Sequence, residues 1–203
     1  MGSPKHLLPV PLTERPLYQQ LIHVVHTAFP EVQTVYFSIA RHSKTDDNLQ
    51  QGELFLPTKA GVKRVELVKI PDDTTLDIGP AAGLLAAYQY DTNAAWLVVA
   101  CDFPLLDPAA LHQLKEVYED PVTCFVNKDG FSEPLLAIWS PQALRSLSKN
   151  VESGRLGPNY TVERLQGKLV TPTKDDWILN TNTPEEWEVA RLRIQGPQSI
   201  GGP

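Results

Sequence analysis

Between Ala94 and Cys101 the chain reads AAWLVVAC, eight residues without a charge, and the next residue is Asp102. This run is far shorter than the roughly 18 apolar residues that a membrane-spanning helix needs. Its Trp and paired Val residues favour a strand, and Phe103-Pro104 ends the ladder straight after it. A strand that is apolar at every position must be covered on both faces, as a parallel strand inside an α/β sheet is. The carboxylate at its end then stands at the mouth of the sheet, where open α/β folds bind their ligands.

The flanking segments fit that frame, because short β-branched runs alternate with helical patterns. Leu17, Leu21, Val24, Val25 and Ala28 form a helical stripe between Arg15 and Phe29, with Pro16 near its start. VQTVYFSIA (Val32 to Ala40) and VELVKI (Val65 to Ile70) read as strands, and NLQQGELFLPTKAG between them as an irregular polar loop. GPAAGLLAAYQY is a helix opened by Gly79-Pro80, and DPAALHQLKEVY is one with Asp107 as N-cap and Pro108 at its first position. VTCFV and PLLAIW are strands joined by the turn cluster Asn127-Lys128-Asp129-Gly130. Further on come helices in SPQALRSLSKN and NYTVERLQG, a strand in KLVTP, and a short strand leading to Asn180. A last helix, TPEEWEVARLRI, has Thr183 as its N-cap. The expected fold is α/β, a Rossmann-like three-layer sandwich with a mostly parallel sheet. It forms one domain over residues 1–194, followed by a disordered tail over residues 195–203.

Composition removes several function classes. A net charge of −6 and a pI of about 5.3 lack the basic footprint of a nucleic-acid binder. Cys101 and Cys124 are too few for a disulfide framework; Cys101 reads as a buried free thiol, which points to a reducing, cytoplasmic setting. No secretory leader or membrane span is expected. HExxH, CxxC, GxSxG and GxxxxGK[ST] are all missing, and the five histidines are scattered and read as surface residues.

Three places could carry chemistry. Asp102 could hold a hard cation such as Mg²⁺ against a polyphosphate, or it could simply cap the turn that follows. Gly79 and Gly83 bracket a helix start whose free N–H groups suit anions, or they serve a turn and close packing. Asn180 and Asn182 precede a capped helix, and their amides could meet a metal-bound water or a phosphate, or could shape the turn.

Taken in order, MGSPKHLLP, GPAAGLLAA, VVACDFPLL, EPLLAIW and NTNTPEEW resemble the MobA-like nucleotidyltransferases, the family that includes molybdenum cofactor guanylyltransferase. The resemblance runs from Gly2 to about Ile194. It implies a fold of the nucleotide-diphospho-sugar transferase type and Mg²⁺-dependent transfer of a nucleoside monophosphate to a small phosphorylated acceptor. GTP and a molybdopterin-type acceptor are favoured, with proteins of cofactor biosynthesis as partners. Lys5 and Asp102 are implied as catalytic, and Gly2, Lys5, Asp72, Gly79, Pro80 and Gly83 as nucleotide-binding. Asp102 and Asn182 are implied at the metal, and Asn180, Asn182 and Glu133 at the acceptor.

Two departures leave alternatives open. The family loop has the form LxGGxSxRMGxxK, and only its end, Met1 to Lys5, is in this sequence. The expectation is therefore an N-terminally incomplete domain, in which a sheet lacking its central strand exposes unpaired backbone and apolar surface. Pro4 is more like the cytidylyltransferase relatives, whereas GPAAG is more like the guanylyl type. A transferase using CTP or a sugar phosphate, or a non-catalytic nucleotide-binding relative, therefore stays open.

Overall fold

The computed structural model describes residues 4–40, 52–58, 61–72 and 78–196. The first helix, α1 (Leu17–Ala28), is followed by β1 (Thr34–Ala40), β2 (Gly52–Thr58) and β3 (Gly61–Asp72). Then come α2 (Ala81–Tyr90), β4 (Trp96–Val99), α3 (Pro108–Glu116), β5 (Val122–Val126) and β6 (Ser132–Trp139). The chain continues through α4 (Pro141–Glu152), α5 (Pro158–Arg164) and β7 (Lys168–Val170) to α6 (Pro184–Gln195).

The strands form two sheets, ordered β1-β3-β2 and β4-β6-β5-β7. Helices cover both faces, as the α/β sandwich reading expected. On one side, Leu17, Leu21 and Val24 of α1 pack with Ala110, Leu111 and Leu114 of α3. The same helix sends Tyr18 and Ile22 to Leu54, Leu56, Val65 and Leu67 of the first sheet, so α1 spans both sheets. On the other side, Leu84 and Leu85 of α2 join Leu144 and Leu147 of α4 over Val122, Ala137 and Trp139. In β6, Leu136 faces the first of these layers and Ala137 the second, the period-two alternation of a strand buried on both faces.

Strand direction departs from the expected mostly parallel sheet. Among the described residues β1–β3 and β5–β7 are parallel, whereas β2–β3, β4–β6 and β5–β6 are antiparallel. The cause is local: Asn127–Gly130 is too short for a crossover, so β6 must fold back on β5. Having turned back, β6 lies between β5 and β4 and sets the antiparallel sense of β4 as well.

Four other expectations are corrected. The polar stretch around GELFLPT is a strand, with Leu54 and Leu56 buried and Glu53 and Phe55 exposed. Its Pro57 is tolerated because β2 is an edge strand of its sheet. The segment before Asn180 is a 3₁₀ turn, Asp175–Ile178, in place of a strand. His26 is buried instead of exposed, and Cys101 is half-buried while Cys124 is the fully buried thiol. Residues 197–203 of the expected tail lie outside the described residues.

Asp107 caps α3 by accepting from Ala109 N at 2.9 Å, and Thr183 caps α6 in a reciprocal capping box with Glu186. Gly167 joins α5 to β7 where space is tightest. A Cβ there would lie 2.6 Å from Val122 Cγ1 and 3.1 Å from Val122 O. Gly167→Ala should therefore cost about 1–3 kcal/mol by overpacking, read as a lower urea midpoint at unchanged slope.

Candidate active site

The ladder of β4 ends at Val99, and the chain then turns out of the sheet. Ala100 N still donates to Leu135 O at 2.8 Å, which fixes the exit from the strand. Two residues later Asp102 is held by its backbone, because Thr181 N donates to its carbonyl at 3.0 Å and Thr181 Oγ1 at 3.3 Å. Thr181 is buried, so this bond is shielded from water. It draws Asn180 and Asn182 to the end of β4, although they lie far along the chain.

Lys5 reaches the same point from the 3₁₀ turn Lys5–Leu7. Its Nζ donates to Asp102 Oδ1 at 2.8 Å and to Asn182 Oδ1 at 2.7 Å. Two oxygens thus converge on one positive centre, the Lys5 ammonium. Asn182 is steadied by Glu186, whose Oε2 accepts from Asn182 N at 2.6 Å and Thr183 N at 2.9 Å. Those two backbone donors are the main reason the Glu186 carboxyl titrates below its ordinary value.

Beside this cluster lies a cavity of about 310 Å³. Asp102, Glu133, Asn180 and Pro80 line it together, and Gly157, Pro158 and Asn159 at the head of α5 close another side. Asn180 Oδ1 is buried there without a hydrogen-bond partner. A buried acceptor without a donor is costly and marks a place where a donor is wanted. Glu133 sits half-buried in β6, and burial pushes its carboxyl up. A hydrogen bond from Asn127 Nδ2 at 3.3 Å works against that shift, and the charge of Asp102 adds to it.

The sequence-derived residues are therefore distributed as follows. Lys5, Asp102 and Asn182 meet in one cluster, and Glu133, Asn180 and Pro80 line the adjoining cavity. Gly79, with φ of 56°, shapes the exposed turn ahead of α2. Gly83 faces β1: a Cβ there would lie 2.8 Å from Ser38 Oγ, so its smallness sets how closely α2 approaches that strand. Asp72 closes β3 opposite Ala40 in the ladder. Gly2 lies outside the described residues. Sequence reasoning missed Thr181, although it stands between the two asparagines of NTN, and it missed the head of α5, which carries no motif.

Known proteins give the comparison. The profile of the MobA-like NTP transferase domain matches residues 1–168. A molybdenum cofactor guanylyltransferase of Pseudomonas fluorescens (strain Pf0-1) is 31% identical over 121 residues, 57% of this chain and 60% of that protein. A molybdenum cofactor biosynthesis bifunctional protein of Synechocystis sp. is 31% identical over 113 residues, 54% of this chain and 33% of that protein. The matches thus span between a third and three fifths of those relatives' own length. Among solved structures, molybdopterin-guanine dinucleotide biosynthesis protein A from Archaeoglobus fulgidus shares the fold, with a TM-score of 0.65 at 21% identity. That match covers 94% of this chain and 90% of the other.

The electrostatics of Glu133 yield a pH-dependent outcome. A carboxyl raised in the folded state contributes stability that is fully present below its unfolded value of about 4.3, and this is lost as pH rises through the native value. Glu133→Gln should therefore gain stability relative to the parent protein as pH rises through that window, and the difference should level off above it. Carboxyl-carbon NMR should show Glu133 titrating above the ordinary range, and Asp102→Asn should move it downward.

Proposed function

Because the chain belongs to the MobA-like NTP transferase domain family, we propose that it transfers a nucleoside monophosphate, GMP from GTP foremost, to a molybdopterin-type phosphorylated acceptor. The names of its relatives support the nucleotide and the acceptor. The observation that carries the reading is the convergence of Asp102 and Asn182 oxygens on Lys5 Nζ beside a cavity that Glu133 and Asn180 line.

The donor set fits Mg²⁺, which favours oxygen ligands and is held by one or two carboxylates together with substrate phosphates. Asp102 and Asn182 would hold the ion. When bound, it would offset phosphate charge that Asp102 and Glu133 would otherwise repel. In the reaction an oxygen of the acceptor phosphate attacks the α-phosphorus of the nucleotide. The bond from that phosphorus to the bridging oxygen breaks, and pyrophosphate leaves with the electron pair. Lys5 turns its ammonium toward the phosphates and stabilises the charge that grows there. Thr181 holds Asp102 in register, and Glu133 and Asn180 shape the acceptor's cavity. Such chemistry rests on positioning and electrostatics and needs no protein nucleophile.

The turn at Gly79-Pro80 and the end of β3 at Asp72 would meet the nucleotide, with Gly83 acting through the approach of α2 to β1, and Gly2 would lie at the phosphates. Neither Cys101 nor Cys124 is in a disulfide, which supports a reducing, cytoplasmic setting, and burial pushes the Cys124 thiol up to about 12. Proteins of cofactor biosynthesis would supply and take up the acceptor. Among the described residues no helix is long and apolar enough to cross a membrane.

Calorimetry with GTP, CTP and ATP, with and without Mg²⁺, tests the nucleotide assignment. Tighter Mg²⁺-dependent binding of GTP is expected; a preference for CTP would favour the reading that Pro4 keeps open. Asp102→Asn should lower Mg²⁺-dependent transfer by about 10²-fold or more, with little change in melting temperature. Full activity in that variant would remove Asp102 from the mechanism.

A further inference from the structure

Thr181-Asn182-Thr183 joins the site to α6, and the three successive N–H groups of this segment are all taken. Thr181 N donates to the carbonyl of Asp102 at 3.0 Å. The next two, Asn182 N and Thr183 N, converge on one oxygen, Glu186 Oε2, at 2.6 and 2.9 Å. A capping box accounts for only one of those two bonds. In that motif the carboxylate at the third helical position accepts from the N-cap residue, here Thr183, while Thr183 Oγ1 accepts from Glu186 N at 3.2 Å. The bond from Asn182 N is additional to the motif and is the shorter of the two. It falls on the residue whose side chain meets Lys5. Glu185, one position earlier in the same first turn, shares neither bond.

Asn182 is exposed, so burial does not fix its side chain. An exposed amide samples several staggered rotamers unless its backbone and its partners restrict it. Holding the Asn182 N–H sets the direction in which the side chain leaves the backbone, and Lys5 Nζ then donates to its Oδ1 at 2.7 Å. We infer that Glu186 is a positioning residue for the site: through Asn182 N it keeps Asn182 Oδ1 beside Asp102 Oδ1, where both oxygens serve Lys5 and, in the proposed transfer, the cation. Its service to the cation rests on that proposed activity; its hold on Asn182 does not. Groups that orient a metal's ligands change its affinity by about 10–100-fold when they are removed.

Four variants test this. Glu186→Ala removes both bonds, whereas Glu186→Gln keeps an oxygen that can accept them. Thr183→Ala removes the Oγ1 half of the cap and leaves both N–H groups on Glu186. Glu185→Ala removes an equal charge from the same turn. In protein free of metal and nucleotide, NMR relaxation of the Asn182 side-chain amide should show it ordered in the parent protein and in every variant except Glu186→Ala. If Glu186→Ala does not fold, Glu186→Asp, one methylene shorter, should show the same loss of order. With Mn²⁺ alone as the probe, Glu186→Ala should bind at least about ten-fold more weakly than the parent, and the other three within about three-fold of it. An Asn182 amide as ordered in Glu186→Ala as in the parent would overturn the inference. Equal loss of order in Thr183→Ala would also overturn it, by reducing Glu186 to a helix cap. Order lost as expected, with Mn²⁺ binding unchanged, would overturn the part that concerns the cation. Both readouts as expected in a parent protein that transfers no nucleotide would overturn the proposed activity and leave Glu186 its role.

Discussion

The candidate site depends on one backbone hydrogen bond, from Thr181 N to the carbonyl of Asp102. The strand that delivers Asp102 has only four residues in its ladder, and beyond the bond from Ala100 N to Leu135 O the sheet itself gives the chain no further guidance. What fixes the turn is a segment from the far end of the sequence, itself held by the 3₁₀ turn behind it and the capping box ahead of it. Trp177 and Ile178 are buried in the same core as Leu17 and Leu111, so the segment is anchored by apolar burial and not by polar contacts alone. The position of Asn182 is thus a consequence of core packing transmitted through two short structures. Neither asparagine needs an element of its own.

Much of the fold could be read in the sequence, and the reason differs from element to element. The helices α3, α4 and α6 announce themselves because Asp107-Pro108, Ser140-Pro141 and Thr183-Pro184 pair a cap with a proline at the first position. β4 was legible because it is apolar throughout and Phe103-Pro104 follows shortly after it. β2 was not, since Pro57 and the polar residues around it hide an alternation that only Leu54 and Leu56 carry. Strand direction was misjudged because apolar runs report burial on two faces, a condition that the antiparallel β6 meets as well as a parallel strand does. The site was legible only in pieces. Lys5 lies 97 positions from Asp102 and 177 from Asn182, and no local pattern encodes a meeting over such separations. The resemblance supplied that meeting. Thr181 and the head of α5 escaped it because their contribution is made by backbone and shape.

A cavity of about 410 Å³ between β1 and β4, and the active-site cluster beside it, belong to one architectural fact. α1 and α2 each bridge both sheets, α1 through its two faces and α2 by lying against β1 and β3 while packing on α4. The helices therefore keep the sheets in a common frame across a region where strands do not pair directly. Gly83 contributes by letting α2 approach Ser38 closely, which keeps the helix down on the first sheet. Pro80, Ala100 and Leu135 line both this cavity and the smaller one beside Asp102, so the packing of the helices also shapes the entrance to the site.

The cluster at Asp102 is also electrically self-contained, which sets how it can work. Lys5 neutralises Asp102 directly, and both side chains are about a quarter exposed, at 26% and 27%. A pair with that much water access is worth about 0–1 kcal/mol, so it is readily exchanged for another partner. Asn182 is neutral, so the charge that Lys5 would leave uncompensated on turning away is that of Asp102 alone, beside Glu133, whose carboxyl is pushed up by burial and by Asp102. On the activity proposed above, a cation taken up on the Asp102 and Asn182 oxygens would offset that charge and make it easier for Lys5 to turn to an anionic ligand. The same pair of atoms that holds the lysine in place would then hold the ion.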